Sequence, residues 1–331
     1  MQASTDASAW DGGAGRLRPT GPPRALPASS TESEQRGLKR SAFENRALAY
    51  LLLAPQMIVL LFFFFVPSFR ALIQAFQLSD PFGGSTQWVG LDNLAALWRS
   101  APYWAAVRAT IVFTLALSVA TLGVALLLAF AAHHVLRGQT LYKTFILVPY
   151  AVAPAIAGIV WAFLFNPAVG PVAHLLHSAG IAWDPNRYPA HAMTLVVLAS
   201  AWKQVSYNFL FLLAGLLAVP RSILEAAAVD GAGPIRRFIS ISLSMLTPTL
   251  FFLVVINFVY AFFDTFAVVD ATTRGGPAGA TTTMVYKVYQ DGFVSLDLGS
   301  SAAQSIVLMV LALALTFVQF RFLEARVRYA V

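Results

Sequence analysis

Pro220-Arg-Ser-Ile-Leu-Glu-Ala-Ala-Ala-Val-Asp-Gly-Ala-Gly-Pro234 is a polar insertion between two long apolar segments, and a basic, apolar run leads from it to Thr247-Pro248. Ser222 and Glu225 stand in S-x-x-E spacing. That spacing predicts a capping box, in which the serine oxygen takes an orphan N–H and the glutamate reaches back to the cap. Ile223 to Val229 is rich in alanine, the best helix former. Asp230-Gly231 predicts a stop, because Gly tolerates the left-handed conformation in which helices often end. Gly233-Pro234 predicts a fresh start, because Pro at the first helical position lacks an N–H that would be unpaired anyway. The expected unit is a short helix, a sharp turn and a second helix. A plain capped loop between two membrane helices would carry the same residues, so local chemistry leaves its role open.

The flanking segments decide the class. The chain has 331 residues, of which 58% are hydrophobic and 11% charged. Soluble domains carry roughly 25% charged residues. That deficit, with several apolar runs longer than about 18 residues, places the chain in a bilayer. The net charge of +7 fits the positive-inside bias of a membrane protein, so no nucleic-acid partner is expected. There is no cysteine, so disulfides, thiol catalysis and thiolate metal sites are excluded.

Six helical spans are expected: Ala47 to Phe69, Ala109 to Ala132, Thr144 to Phe165, Ala192 to Val219, Met245 to Phe263 and Leu298 to Phe320. Each is about the 20 residues needed to cross roughly 30 Å of hydrocarbon, and backbone groups cannot stay unpaired in lipid. Pro55, Pro149, Pro154 and Pro248 read as kinks, with neighbouring helices re-satisfying the freed carbonyls. The fold class is therefore an all-α polytopic membrane protein. Residues 1–46 are rich in Ala, Ser, Gly and Pro, and are expected to form a disordered, solvated cytoplasmic tail rather than a signal peptide. Residues 47–331 form the transmembrane domain, with the loop 220–248 inside it. The longer loops on the other side hold no separate domain. Gly299-Ser300-Ser301-Ala302-Ala303 predicts close helix packing at the start of the sixth span.

Orientation follows from Lys and Arg. With both termini in the cytoplasm, 15 basic residues lie inside and 6 outside, and Lys203 lies within the membrane. This bias puts the Glu225 loop in the cytoplasm.

No G-x-x-x-x-G-K-[ST] is present, and none of the four lysines follows a glycine. The chain therefore lacks the phosphate cradle of a P-loop ATPase, and any ATP would be hydrolysed by a partner. His133 and His134 are adjacent and His174 and His177 are three apart. Neither pair forms a zinc signature, so no metal is expected and both pairs read as solvated. No catalytic constellation can be argued from spacing.

The informative polar residues lie inside the spans. Lys203 and Tyr207 are four apart, as are Gln204 and Asn208, so each pair shares a helix face. An intramembrane cation is expensive, which makes Lys203 a functional-site hypothesis. Asn257, Tyr260 and Asp264 share a face of the fifth span by their i, i+3, i+7 spacing. Two such stripes could line a translocation path. Hydrogen bonding between helices is the other reading of the same residues.

Glu225-Ala226-Ala227, then Gly231, Ile241 and Leu243 at their offsets, resembles the EAA loop of ABC importer permeases. This chain has Ser244 where that pattern usually has Pro, and Pro248 follows four residues on. Trp202-Lys203, Gly275-Gly276-Pro277 and the Thr281 to Thr283 run resemble the sugar (maltose-like) type. Asp80-Pro81-Phe82-Gly83, Val89 to Asn93, Pro149 to Pro154, Val259 to Phe266 and Ser300 to Ser305 are similar to its branch for sn-glycerol 3-phosphate. The likeness covers about Leu48 to Tyr329.

It implies the type I permease fold and a second, different permease subunit. It also implies two copies of an ATPase that binds ATP and Mg, a periplasmic binding protein, and an inner-membrane location. It implies, further, that Glu225, Ala226, Ala227, Asp230 and Gly231 couple the chain to the ATPase, with no cofactor and no catalysis in this chain. A Trp-Lys pair also occurs in similar permeases for neutral sugars, so Lys203 does not decide the cargo, and a neutral sugar is the alternative. An ion-coupled secondary carrier using Lys203 or Asp264 is the rival from another class. It leaves the loop unexplained.

Overall fold

A computed structural model describes residues 46–79, 84–134 and 139–326. Residues 1–45 of the expected tail, the stretch Asp80 to Gly83, the stretch 135–138 with Arg137, and the last five residues lie outside them. The chain divides at Phe65 and Val66 into two compact units.

The first unit contains α1 (Arg46–Leu60), with Pro55 inside it, and a π-helical turn at Leu61–Phe65. The second opens with α2 (Val66–Gln74) and a small antiparallel hairpin, β1 (Gln77–Ser79) with β2 (Thr86–Trp88), in the register Gln77 to Trp88. There follow α3 (Asp92–Arg99), α4 (Ala101–His134), α5 (Gln139–Ala151), α6 (Pro154–Leu164), α7 (Pro171–Ser178) and α8 (Pro189–Leu217). After them come α9 (Arg221–Val229), α10 (Pro234–Arg237), α11 (Thr247–Val259), α12 (Phe266–Thr272), α13 (Met284–Tyr289) and α14 (Leu298–Arg326).

Among the described residues five helical runs are long and apolar enough to cross a membrane: Ala49–Gln74, Ala101–Ala132, Pro189–Leu217, Thr247–Asp264 and Leu298–Arg321. The expected third span is not one helix. It is a pair, α5 and α6, bent by 98° at a break between Ala151 and Pro154. Counted as one broken span, the pair brings the number to six. The prolines there do more than kink. Pro154 cannot donate to the carbonyl of Tyr150, and its ring disfavours helical backbone at the residue before it. Ala153 accordingly sits at φ −60°, ψ 140° and caps a new helix.

The long helices are apolar on most faces, so side-chain size decides which face packs. α4 lays Ala125, Ala129 and Ala132 against Phe209, Leu212, Leu213 and Leu216 of α8, with Leu246 and Leu253 completing the cluster. Small residues bring two backbones close enough for dispersion to hold them where lipid offers no hydrophobic gain. Nearer the other end of the same helices, Phe113 and Leu117 of α4 meet Val196 and Val197 of α8 and Val268 and Val269 of α12. A third cluster joins Ala75, Leu97, Tyr103, Met284 and Leu308 to Ala302 and Ala303. The small residues at the start of α14 therefore pack as the sequence predicts.

Candidate functional site

α8 and α11 place polar side chains around one cavity of about 610 Å³. Lys203, Gln204 and Tyr207 come from α8, Tyr260 and Asp264 from the end of α11's run, and Tyr150 to Pro154 from the α5–α6 break. Five of the seven candidate path residues thus line one cavity. Asn208 and Asn257 do not line it. Both are fully buried and pair with each other: Asn208 Nδ2 donates to Asn257 Oδ1 at 3.0 Å, and Asn257 Nδ2 donates back to Asn208 Oδ1 at 3.3 Å. Asn208 Nδ2 also donates to the Gln204 carbonyl at 3.1 Å. This pair is a bolt between α8 and α11.

The expected common face of Asn257, Tyr260 and Asp264 is split: Tyr260 and Asp264 line the cavity beside Ile256 and Val259, while Asn257 faces Asn208 on α8. The helix widens into a π-turn at Tyr260–Asp264, which adds a residue to the turn leading to Asp264. No sequence period announces that turn.

Lys203 is 6% exposed. Its Nζ donates to the carbonyl of Tyr150 at 3.3 Å and to the carbonyl of Val152 at closer range. The first of these acceptors is the carbonyl that Pro154 leaves free. One turn along, Ser206 Oγ donates to the Ile146 carbonyl at 2.6 Å. The Tyr207 ring lies against Tyr150 with centroids 5.9 Å apart. Reasoning from sequence missed Tyr150, Val152, Ile256 and Val259 as wall residues. The five-residue spacing of Pro149 and Pro154 was the available signal.

The loop after α8 forms a second candidate site. α9 begins at Arg221, with Pro220 as its N-cap and no side-chain cap bond. The expected capping box is therefore absent: Ser222 is already the second helical residue, so its hydroxyl stands beyond the position from which a cap reaches back. The other end forms as the sequence predicts. Gly231 has φ +79°, the Ala232 N–H donates to the Ala227 carbonyl at 2.9 Å, and the Gly231 N–H donates to the Ala228 carbonyl at 3.1 Å. These two bonds are the Schellman pair. Pro234 opens α10, and Arg237 Nη1 donates to the Leu224 carbonyl at 3.3 Å, tying the two helices together.

Glu225, Ala226, Asp230 and Gly231 are exposed and Ala227 is half-buried, while Val229 is 89% exposed. α9 presents these residues on an exposed, well-terminated element. Ser244, at the departure from the EAA pattern, lies in a short helical stretch, and its Oγ donates to the Ser240 carbonyl at 3.0 Å.

The loops at the other end of the helices are internally bonded. Thr273 and Thr281 hydroxyls meet at 2.6 Å, and Thr281 also donates to the Gly276 carbonyl at 2.9 Å. The Tyr286 hydroxyl donates to Asp270 Oδ1 at 3.0 Å. Burial, and then that bond, push the phenol up to about 12. His174 and His177 are exposed, as expected, and each also meets a backbone carbonyl: His174 Nδ1 lies 3.1 Å from that of Gly170, one turn back, and His177 Nε2 lies 2.9 Å from that of Trp183 in the connection after α7. The side chains of His133 and His134 lie outside the described residues.

The sequence pattern of the family described as "Binding-protein-dependent transport system inner membrane component" matches residues 121–329. The chain is 54% identical over 293 residues to the sn-glycerol-3-phosphate transport system permease protein UgpA of Brucella abortus biovar 1 (strain 9-941), covering 88% of this chain and all of that protein. It is 52% identical over 290 residues to the protein of the same name from Escherichia coli (strain UTI89 / UPEC), covering 88% and 98%. Among solved structures, a bacterial ABC transporter involved in the import of the acidic polysaccharide alginate contains a similar chain. It has a TM-score of 0.73 at 20% identity, over 89% of this chain and 100% of that one, which shows the fold. The matched pattern, the half-identical relatives and the shared type I permease fold agree: this chain belongs to the binding-protein-dependent transport system inner membrane components, the multi-pass permeases of ABC importers.

Proposed function

We propose that this chain is the membrane-spanning permease subunit that passes sn-glycerol 3-phosphate across the inner membrane. The observation that carries the cargo is the identity above 50% along 88% of the chain to permeases named for it. The cavity supports the reading. A glycerol phosphate brings a dianionic end and two hydroxyls. Lys203 supplies a cation for the first, and Gln204, Tyr207, Tyr260 and Asp264 supply hydrogen-bonding groups for the second.

The partners and the topology follow the same reading. A second permease completes the path, two copies of an ATPase dock on the exposed α9 through Glu225, Ala226, Ala227, Asp230 and Gly231, and a periplasmic protein delivers the cargo. Both termini face the cytoplasm. ATP binding closes the ATPases, α9 carries the movement, and the cavity opens outward to receive the cargo.

The test is ATP hydrolysis by the assembled transporter in liposomes, with its binding protein and either sn-glycerol 3-phosphate or maltose. Stimulation by glycerol 3-phosphate alone is expected, and stimulation by maltose alone would transfer the cargo to a neutral sugar. Glu225→Lys is expected to abolish stimulation while the chain still inserts. Normal uptake by that variant would refute the coupling role of α9.

A further inference from the structure

Lys203 is committed twice, to the backbone at the α5–α6 break and to the wall of the cavity. Pro154 has no N–H, so the Tyr150 carbonyl has no helical donor, and the 98° bend removes the donor that continued helix would bring to Val152. The Lys203 ammonium takes both oxygens. It carries three donors and no acceptor, so these two bonds use most of its capacity. It also sits at a helix C-terminus, where the backbone dipoles favour a positive charge. The neighbours of Lys203 on α8 hold the same turn of α5, through the Ser206 bond to Ile146 and the Tyr207 contact with Tyr150. The break is therefore gripped from α8, and the single cation of that grip faces the space where cargo is held.

A phosphate oxygen forms a shorter and stronger bond to an ammonium than a neutral carbonyl does. Asp264 lines the same cavity, and its carboxylate disfavours an anion beside it, which leaves Lys203 as the cation for the phosphate. Arrival of an anion thus competes with Tyr150 and Val152 for Lys203. We propose that Lys203 is the cap of the broken span, exchanged from the backbone to the cargo anion when the cavity fills, so that occupancy is read out as the geometry of the α5–α6 break. This rests on the phosphate reading of the cargo. Lys203 is in this respect a positioning residue for α5 and α6 as well as a ligand.

The chain has no native cysteine, which allows two spin labels to report the break. Phe145 on α5 and Phe163 on α6 are 69% and 57% exposed. Phe145→Cys and Phe163→Cys are labelled in the assembled transporter in nanodiscs, with cysteine-free partners and no ATP, and the distance distribution is measured by electron paramagnetic resonance. The wild-type distribution is expected to shift with glycerol 3-phosphate and not with glycerol. Lys203→Met is expected to show a displaced distribution before any addition and no further response, while Lys203→Arg behaves as the wild type. Lys203→Gln carries the same comparison if Lys203→Met fails to assemble with the ATPase. An undisplaced Lys203→Met that has lost uptake overturns the cap and leaves the cargo reading standing. A wild type that takes up glycerol 3-phosphate while its distribution ignores it overturns the exchange alone, whereas a wild type that neither responds to it nor takes it up overturns the phosphate reading with it.

Discussion

Gly231→Ala isolates the backbone of the proposed coupling loop from its side chains. Gly231 has φ +79°, and a methyl group built there meets no atom within 4 Å. The substitution therefore adds no clash. Its cost is that of holding an L-residue in the left-handed conformation, roughly 1–2 kcal/mol. The two bonds that end α9, from Ala232 to Ala227 and from Gly231 to Ala228, need that conformation. A penalty of that size lowers the ratio of formed to frayed ends by a factor of about 5 to 30. Asn adopts the same region more readily than Ala, and Val less readily, because its branched Cβ crowds a positive φ.

The assay is cargo-stimulated ATP hydrolysis in liposomes at limiting ATPase subunit, with the amount of ATPase retained on the complex measured beside it. The expected order is Gly, Asn, Ala, Val, with retention for Ala falling by at most about 5- to 30-fold. Equal retention for Ala and Asn would refute the backbone argument. Full retention for Val would refute the dependence of docking on the end of α9.

Two further predictions concern the scaffold. Asn257→Leu leaves the buried Asn208 Oδ1 without its donor and Nδ2 with the Gln204 carbonyl alone, which costs about 1–3 kcal/mol, whereas interhelical hydrogen bonds in membranes are worth about 0.6 kcal/mol on average. The double variant Asn208→Leu, Asn257→Leu should therefore lose less stability than the two single variants added together. A double-mutant cycle on the thermal inactivation of the solubilised complex reads this, and strict additivity would contradict the bolt. A methyl at Gly158 would lie 2.8 Å from Ala271 Cβ and 3.3 Å from the Val268 carbonyl oxygen, so Gly158→Ala should overpack the contact of α6 with α12 by about 1–3 kcal/mol. Adding Ala271→Gly should restore most of the loss in the same assay, and failure to do so would locate the strain elsewhere.

What the sequence by itself determined was whatever one stretch decides alone. Length and apolarity mark the spans, because each helix satisfies its own backbone in lipid. Asp230-Gly231 and Pro234 end one helix and start the next, because a positive φ and a missing N–H are local properties. Ser222 misled because S-x-x-E spacing does not say where a helix begins; Pro220, two residues earlier, took the cap position.

Only the tertiary structure decided how far the third span bends. Pro149 and Pro154 free carbonyls locally, but the donor that keeps the Tyr150 oxygen satisfied is 53 residues away on α8. It likewise decided that Asn257 turns to Asn208 while Tyr260 and Asp264 turn to the cavity. A buried polar group must find a partner, and which partner is within reach depends on how the helices pack.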